Sequence, residues 1–303
     1  MGTPPTAGLT ADAGTAASAA AAASAAPILA VDGVVRRYPG DDRAVLDGVA
    51  LGIRPGEVFA VLGRSGSGKS TLLRAIAGLE PIDAGRIHRP ERPGAVALVP
   101  QRPALLPWRT VRENIALGAR FAAVRERVTD ARVAALLDRL ELAALGDRRP
   151  AALSGGQAQR VAIGRALAVD PELLLLDEPF SALDPALRGD LRTWLRRLAV
   201  ELRLTVLLVT HDVDDAVALA DRVGHFDGSG RFAAVVETAG IAPDALRARL
   251  RAWYDASPDA PGDGDSRGTV AAHDAHRAPA EPAASVEPAA SPAPAASPAP
   301  VAP

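Results

Sequence analysis

The sequence predicts an α/β domain built on a parallel sheet with a phosphate site at the carboxyl ends of its strands, and three observations predict it. The short apolar run "GEVFAVLG" (56–63) leads into "GRSGSGKST" (63–71) and then into "STLLRAIAGL" (70–79), where Leu72, Leu73, Ile76 and Leu79 fall at helical spacing. Leu173 to Leu176 in "PELLLLDEP" form a continuous apolar run, the mark of a strand buried on both faces, and end in Asp177 and Glu178. A third run, "TVLLVT" (205–210), stops at His211, and strands alternate with helical patterns around it.

The two ends differ from the rest of the chain in composition. Residues 1–27 are mostly Ala, Ser, Thr, Gly and Pro, and residues 256–303 hold ten of the 26 prolines with only Val270, Val286 and Val301 as larger aliphatics. Neither end carries enough apolar surface to offset the entropy of ordering, so both read as disordered tails. The alanine run "GTAASAAAAASAAPILA" has no Lys or Arg before it and Asp12 upstream, which reads as tail rather than as a secretion signal. Residues 28–255 remain, enough for one α/β domain with a core of its own. No apolar stretch approaches the roughly 20 residues that span a bilayer. There is no cysteine for a disulfide framework or a thiolate site, and the net charge of −2 carries no nucleic-acid footprint.

Lys69 is the only lysine among the 34 Lys and Arg side chains of the whole chain, so something local demands an ammonium there. Gly63, Gly68, Lys69 and Ser70 fit G-x-x-x-x-G-K-[ST], in which glycines let backbone N–H groups converge on phosphate oxygens at a helix N-terminus. A compact ammonium on a thin stem reaches between phosphates where the planar fork of arginine does not. Strand, loop and helix follow in the order this loop requires. Asp177 and Glu178, at the carboxyl end of a central strand, are expected beside those phosphates. Asp177 can hold Mg²⁺ together with the Ser70 hydroxyl, and Glu178 can take a proton from an attacking water. A second anion site is expected at "LSGGQAQR" (153–160), where Ser154 and two glycines open a helix carrying Val161, Ile163, Ala166 and Leu167. One nucleotide does not easily occupy both sites in one domain, so the second is expected to face a nucleotide held by another copy.

Taken together, "GRSGSGKST", the glutamine in "VPQRPALLPW", "LSGGQ", "LLLLDEPFSALD" and "VLLVTHD" make residues 28–255 resemble the ATP-binding subunits of ABC transporters. The resemblance implies a P-loop NTPase of the ABC cassette type, with a RecA-like core and an inserted helical subdomain over about 101–165. It implies a head-to-tail homodimer that closes ATP and Mg²⁺ between the phosphate loop of one copy and the signature of the other. Carried over, Gly63, Arg64, Ser65, Gly66, Ser67, Gly68, Lys69, Ser70 and Thr71 wrap the phosphates, Tyr38 stacks on adenine, and Ser154, Gly155, Gly156 and Gln157 bind the γ-phosphate across the dimer. Asp177, Ser70 and Gln101 serve the metal, Glu178 is the general base, His211 meets the γ-phosphate and Asp184 lies on the dimer seam. Two departures stand out: Ala158 replaces a longer polar residue, and "VGHFDGSGRFAAVV" (223–236) is a weak version of the family's last strand pair.

"LLPWRTVRENIALG" and "TVLLVTHDVDDAVALADRV" look most like the importer branch for aliphatic sulfonates, taurine and nitrate. That resemblance implies two integral-membrane permease subunits as partners, a periplasmic or lipid-anchored solute-binding protein acting indirectly, and a peripheral place on the cytoplasmic face of the cell membrane. Sulfonates are the preferred cargo. Two rivals stay open: a soluble ABC ATPase working on DNA or ribosomes, for which no second cassette or long coiled coil is present, and an ATPase that regulates a membrane partner without transport. Leu105, Leu106 and Trp108 form either an apolar interaction patch or packing inside a helical segment marked by Val124, Val128, Val133, Leu136, Leu137 and Leu140.

Overall fold

The three apolar runs become neighbouring strands at the middle of one sheet. The computed structural model describes residues 26–41 and 43–256, which fall in one compact unit. The tails expected at 1–27 and 256–303 lie outside the described residues apart from Ala26, Pro27 and the backbone of Ala256.

Strands β1 (Leu29–Arg36), β2 (Leu46–Ile53) and β4 (Ala84–His88) make an antiparallel sheet in the order β2-β1-β4. Strands β3 (Val58–Leu62), β5 (Val96–Val99), β6 (Leu173–Asp177), β7 (Val206–Thr210), β8 (Arg222–Phe226) and β9 (Phe232–Glu237) make the second sheet, in the order β5-β6-β7-β3-β8-β9. It is parallel except for β9, which pairs antiparallel with β8. The weak 223–236 stretch therefore does form its strand pair, held by an edge-on contact of Phe226 and Phe232 at 5.2 Å.

Continuous apolar runs are needed because both faces of this sheet are covered. Leu174, Leu176, Val206, Leu208, Ala60 and Leu62 enter the core on one face, while Leu173, Leu175, Leu207, Val209, Phe59 and Val61 enter the core on the other. The period of two in each strand divides its side chains between the layers. The second layer is closed by β1, β2 and helix α1 (Lys69–Ala77). The first is closed by α3 (Asp130–Arg139), α4 (Gly155–Leu167), α5 (Pro185–Glu201), α6 (Val213–Leu219) and α7 (Pro243–Ala256), with the short α2 (Val111–Ile115) beside them.

Two expectations from spacing are corrected. Helix α1 ends at Gly78, whose φ of 76° is left-handed, so the chain turns before Leu79 and leaves it 67% exposed instead of in the core. The segment after Gln101 is not one periodic helix: Val124 sits at the start of a short 3₁₀ turn and is only partly buried. Burial begins at Val128, and α3, capped by the Thr129 hydroxyl, carries Val133, Leu136 and Leu137 inward.

Candidate functional site

Four chain segments leave the carboxyl ends of the adjacent parallel strands β5, β6, β7 and β3. Leu62 lies beside Thr210 and His225 in register, and Asp177 lies beside Val209, so β7 separates the phosphate-loop strand from the acidic strand. Residues remote in sequence thereby meet: the Ser70 hydroxyl donates to Asp177 Oδ1 at 2.9 Å across that intervening strand.

The loop from Gly63 to Thr71 has the shape its glycines allow. Gly66 and Gly68 have φ of 80° and 101°, and a Cβ on Gly68 would stand 2.7 Å from the Val45 carbonyl. Arg64, Ser65 and Gly66 face solvent, while Ser67, Lys69 and Thr71 are buried. Lys69 turns its ammonium back onto the Arg64 carbonyl at 2.7 Å. Burial pushes that ammonium below lysine's usual pKa, with Glu178 and Asp177 pulling it back up. The buried Ser67 hydroxyl has no hydrogen-bond partner among the described residues. A desolvated cation, an unsatisfied hydroxyl and the first N–H groups of a helix form a cradle that fits a polyphosphate.

Asp177 and Glu178 behave differently although adjacent. Burial raises the Asp177 pKa, opposed by the Ser70 hydrogen bond and the charge of Arg74. With Ser70 it offers two oxygen donors, which suits Mg²⁺ taking its remaining ligands from phosphate and water. Glu178 takes a left-handed φ of 45°, a conformation that costs a side-chain-bearing residue about 1–3 kcal/mol. Its backbone is held by bonds to Val209 and from the Ser181 hydroxyl, at 2.9 and 3.0 Å. This kink turns its carboxylate toward His211, whose Nδ1 is 3.1 Å from Oε2, and toward Gln101, whose Nε2 is 3.5 Å away. Gln101 also donates to the Ser181 hydroxyl at 3.1 Å. Tyr38 lies at the rim, its hydroxyl 3.4 Å from Thr71 Oγ1 and its ring covered on one side by the Arg36 guanidinium.

The signature residues are organised around themselves. Ser154 caps α4 by accepting from the Gln157 N–H at 3.3 Å, and the Gln157 side chain accepts from the Ser154 N–H at 2.9 Å. Both groups are thereby preset with the Gly155 and Gly156 amides at a helix start, and a Cβ on Gly155 would meet Leu183 at 2.8 Å. The alternative that Trp108 packs inside is overturned, since Trp108 is 66% exposed. Its loop is clamped from beneath: buried Asn114 accepts from the Leu106 N–H and donates to the Leu106, Arg109 and Thr110 carbonyls. Arg165 of α4 donates to the carbonyls of Pro103 and Ala104.

Sequence reasoning passed over an ionic lattice behind His211. Arg192 donates to Asp212 at 2.8 Å and to Asp215, Thr210 donates to Asp215, and Arg188 holds the Ser181 and Leu183 carbonyls. Arginine and aspartate are too common in this chain for a motif signal to single these out.

A family model described as ABC transporter matches residues 46–181. The chain is 48% identical over 222 residues to "Aliphatic sulfonates import ATP-binding protein SsuB 3" of Paraburkholderia xenovorans, covering 73% of this chain and 85% of that protein. The chain belongs to the ABC transporter family. It is also 52% identical over 191 residues to "Sulfate/thiosulfate import ATP-binding protein CysA 2" of Agrobacterium fabrum, where the match covers 60% of this chain but spans only 56% of the relative. Among solved structures it resembles the ATP-binding cassette MJ0796, a dimeric post-hydrolysis state bound to ADP and Pi. That match has a TM-score of 0.60 at 29% identity, over 70% of this chain and all of that one. This ABC cassette thus has the fold of nucleotide-binding members of its family, and among its described residues no helix is long and apolar enough to cross a membrane.

The raised pKa of Asp177 gives this cassette a testable cost. Its folded-state value lies above the unfolded one, so the penalty is absent at acid pH, grows as pH rises through that interval and is complete at neutrality. Asp177→Asn keeps an acceptor for Ser70 and removes the buried charge. At pH 7 its melting temperature without ligand is expected to exceed that of wild type, while the extra stabilisation by Mg²⁺-ATP is lost. A lower ligand-free melting temperature at pH 7 would contradict this reading of Asp177.

Proposed function

We propose that this cassette hydrolyses ATP to energise uptake of aliphatic sulfonates through a membrane permease. The observation that carries hydrolysis is the Glu178 carboxylate, turned by a strained backbone onto His211 and Gln101 beside the Lys69–Ser70–Asp177 cluster. Residues 63–71 would hold the phosphates, Asp177, Ser70 and Gln101 would hold Mg²⁺, and Tyr38 would stack on adenine. Bound Mg²⁺ supplies charge neutralisation on the phosphates. Glu178 accepts the proton of the attacking water, and Gln101 and His211 orient the carboxylate and the terminal phosphate. Ser154, Gly155, Gly156 and Gln157 would close on the nucleotide of a second copy, since their hydroxyl and amide groups are already preset at the α4 start, and Asp184 would lie on that seam.

The working unit is residues 28–255, with the segment 101–165 meeting two permease subunits at the cytoplasmic membrane face and a solute-binding protein acting through them. Sulfonate is favoured over sulfate by length: the match takes in 85% of the sulfonate relative and 56% of the sulfate one. Sulfate remains the second reading, because identity to that relative is 52%. In cells lacking their own sulfonate cassette and supplied with the cognate permease, this chain is expected to restore growth on a sulfonate as sole sulfur source. Growth restored on sulfate alone would reassign the cargo.

The exposed Trp108 on its clamped loop is the contact expected for the permease. Trp108→Ser is expected to leave folding and basal ATP hydrolysis near wild type while uptake falls at least 10-fold, close to 1.4 kcal/mol of lost coupling. Unchanged uptake would remove this loop from the contact.

A further inference from the structure

The last described helix reaches back to the carboxyl ends of β7 and β8. Leu246 and Leu250 of α7 are buried in the main core, and Arg247 ties the helix to Asp214 of α6 at 2.7 Å. One turn later the Trp253 ring stacks on His225 at 5.2 Å with planes 10° apart, and the Tyr254 hydroxyl donates to the backbone carbonyl of His211 at 2.6 Å. His225 is in register with Leu62, one residue before the phosphate loop. Two consecutive aromatic side chains therefore grip two of the segments that carry the site.

We infer that Tyr254 is a positioning residue for His211, its hydroxyl holding the His211 peptide so that the imidazole stays directed at Glu178. This rests on the ATPase reading above. The reason a remote hydroxyl matters is that the His211 side chain is 43% exposed and so is not locked by packing. Its direction depends on its own backbone, which is held on the other side by the Asp212 N–H donating to Thr210 Oγ1 at 3.0 Å. Without the tyrosine hydroxyl the His211 carbonyl would turn to water, and the peptide plane would be held on one side alone, by the Asp212 N–H bond to Thr210. Burial, followed by the charges of Asp212 and Glu178 against that of Arg64, keeps the phenol protonated well beyond tyrosine's usual range, so the donor persists at working pH.

The test uses the full chain with Mg²⁺-ATP. Y254F removes one oxygen and retains the ring, and it is expected to lower kcat roughly 10-fold while leaving KM for ATP within about 2-fold, the pattern of a misdirected reacting group. In single-turnover measurements Y254F is expected to have no further effect in an H211A background, because the two residues act through one group. Trp253→Leu, which loosens the same helix without touching His211, separates this from packing: a general packing role would lower kcat and melting temperature in both variants together. Unchanged kcat in Y254F, or an equal additional loss in the H211A background, would overturn the assignment while leaving the ATPase reading intact. A wild-type chain with no ATP hydrolysis would overturn both.

Discussion

Glu178→Gln is expected to reduce ATP turnover by about 10²–10⁴-fold while nucleotide binding survives. The amide keeps the size of the side chain and can still accept from His211 or Gln101, but it cannot take a proton from water. The hydrogen bonds of the phosphate cradle are kept, because Lys69 donates to the Arg64 carbonyl and Ser70 to Asp177, and neither bond involves Glu178. Binding without hydrolysis should accumulate the closed state, so size exclusion with Mg²⁺-ATP is expected to show a dimer for the variant and mainly monomer for wild type after turnover. A variant that hydrolyses within a few-fold of wild type would move the base to another residue, and His211 is the next group in reach.

Lys69→Arg is expected to abolish hydrolysis and most nucleotide binding although the charge is kept. Lys69 is 4% exposed, and its ammonium already sits 2.7 Å from the Arg64 carbonyl inside its own loop. The guanidinium is wider and planar, and the loop around the buried Lys69 is close-packed at Gly68, where even a Cβ would stand 2.7 Å from the Val45 carbonyl. ATP at a hundred times its Kd stabilises a binding protein by about 2.7 kcal/mol, so wild type is expected to show a clear rise in melting temperature with ATP and the variant almost none. Near-normal turnover in Lys69→Arg would remove the explanation for a single lysine in an arginine-rich chain.

Much of the site was legible because its parts are local. A loop that curls around phosphate needs glycines at fixed offsets within nine residues, and a strand buried on both faces needs an unbroken apolar run, so Gly63 to Thr71 and Leu173 to Glu178 announce themselves. His211 was legible because it follows such a run at once. The same reasoning misplaced Leu79, since helical spacing continues past Gly78 in the sequence while the left-handed glycine ends the helix in space. It also drew Val124 into a helix, because apolar spacing by itself does not reveal where a 3₁₀ turn interrupts. Tyr254 is one of two tyrosines, yet neither its neighbours nor its spacing point to His211, 43 residues earlier.

The sequence by itself determined the two-layered α/β core, the phosphate loop, the acidic strand end and the family, because each depends on short-range pattern and residue chemistry. Only the tertiary structure decided that β7 lies between β3 and β6, that Ser70 and Asp177 bond across it, that Trp108 faces outward on an asparagine clamp, and that α7 returns to hold His211. The physical reason is the same in each case. Strand order and helix return are set by the total burial of two core layers, a sum over the whole chain, and no window of the sequence contains that sum.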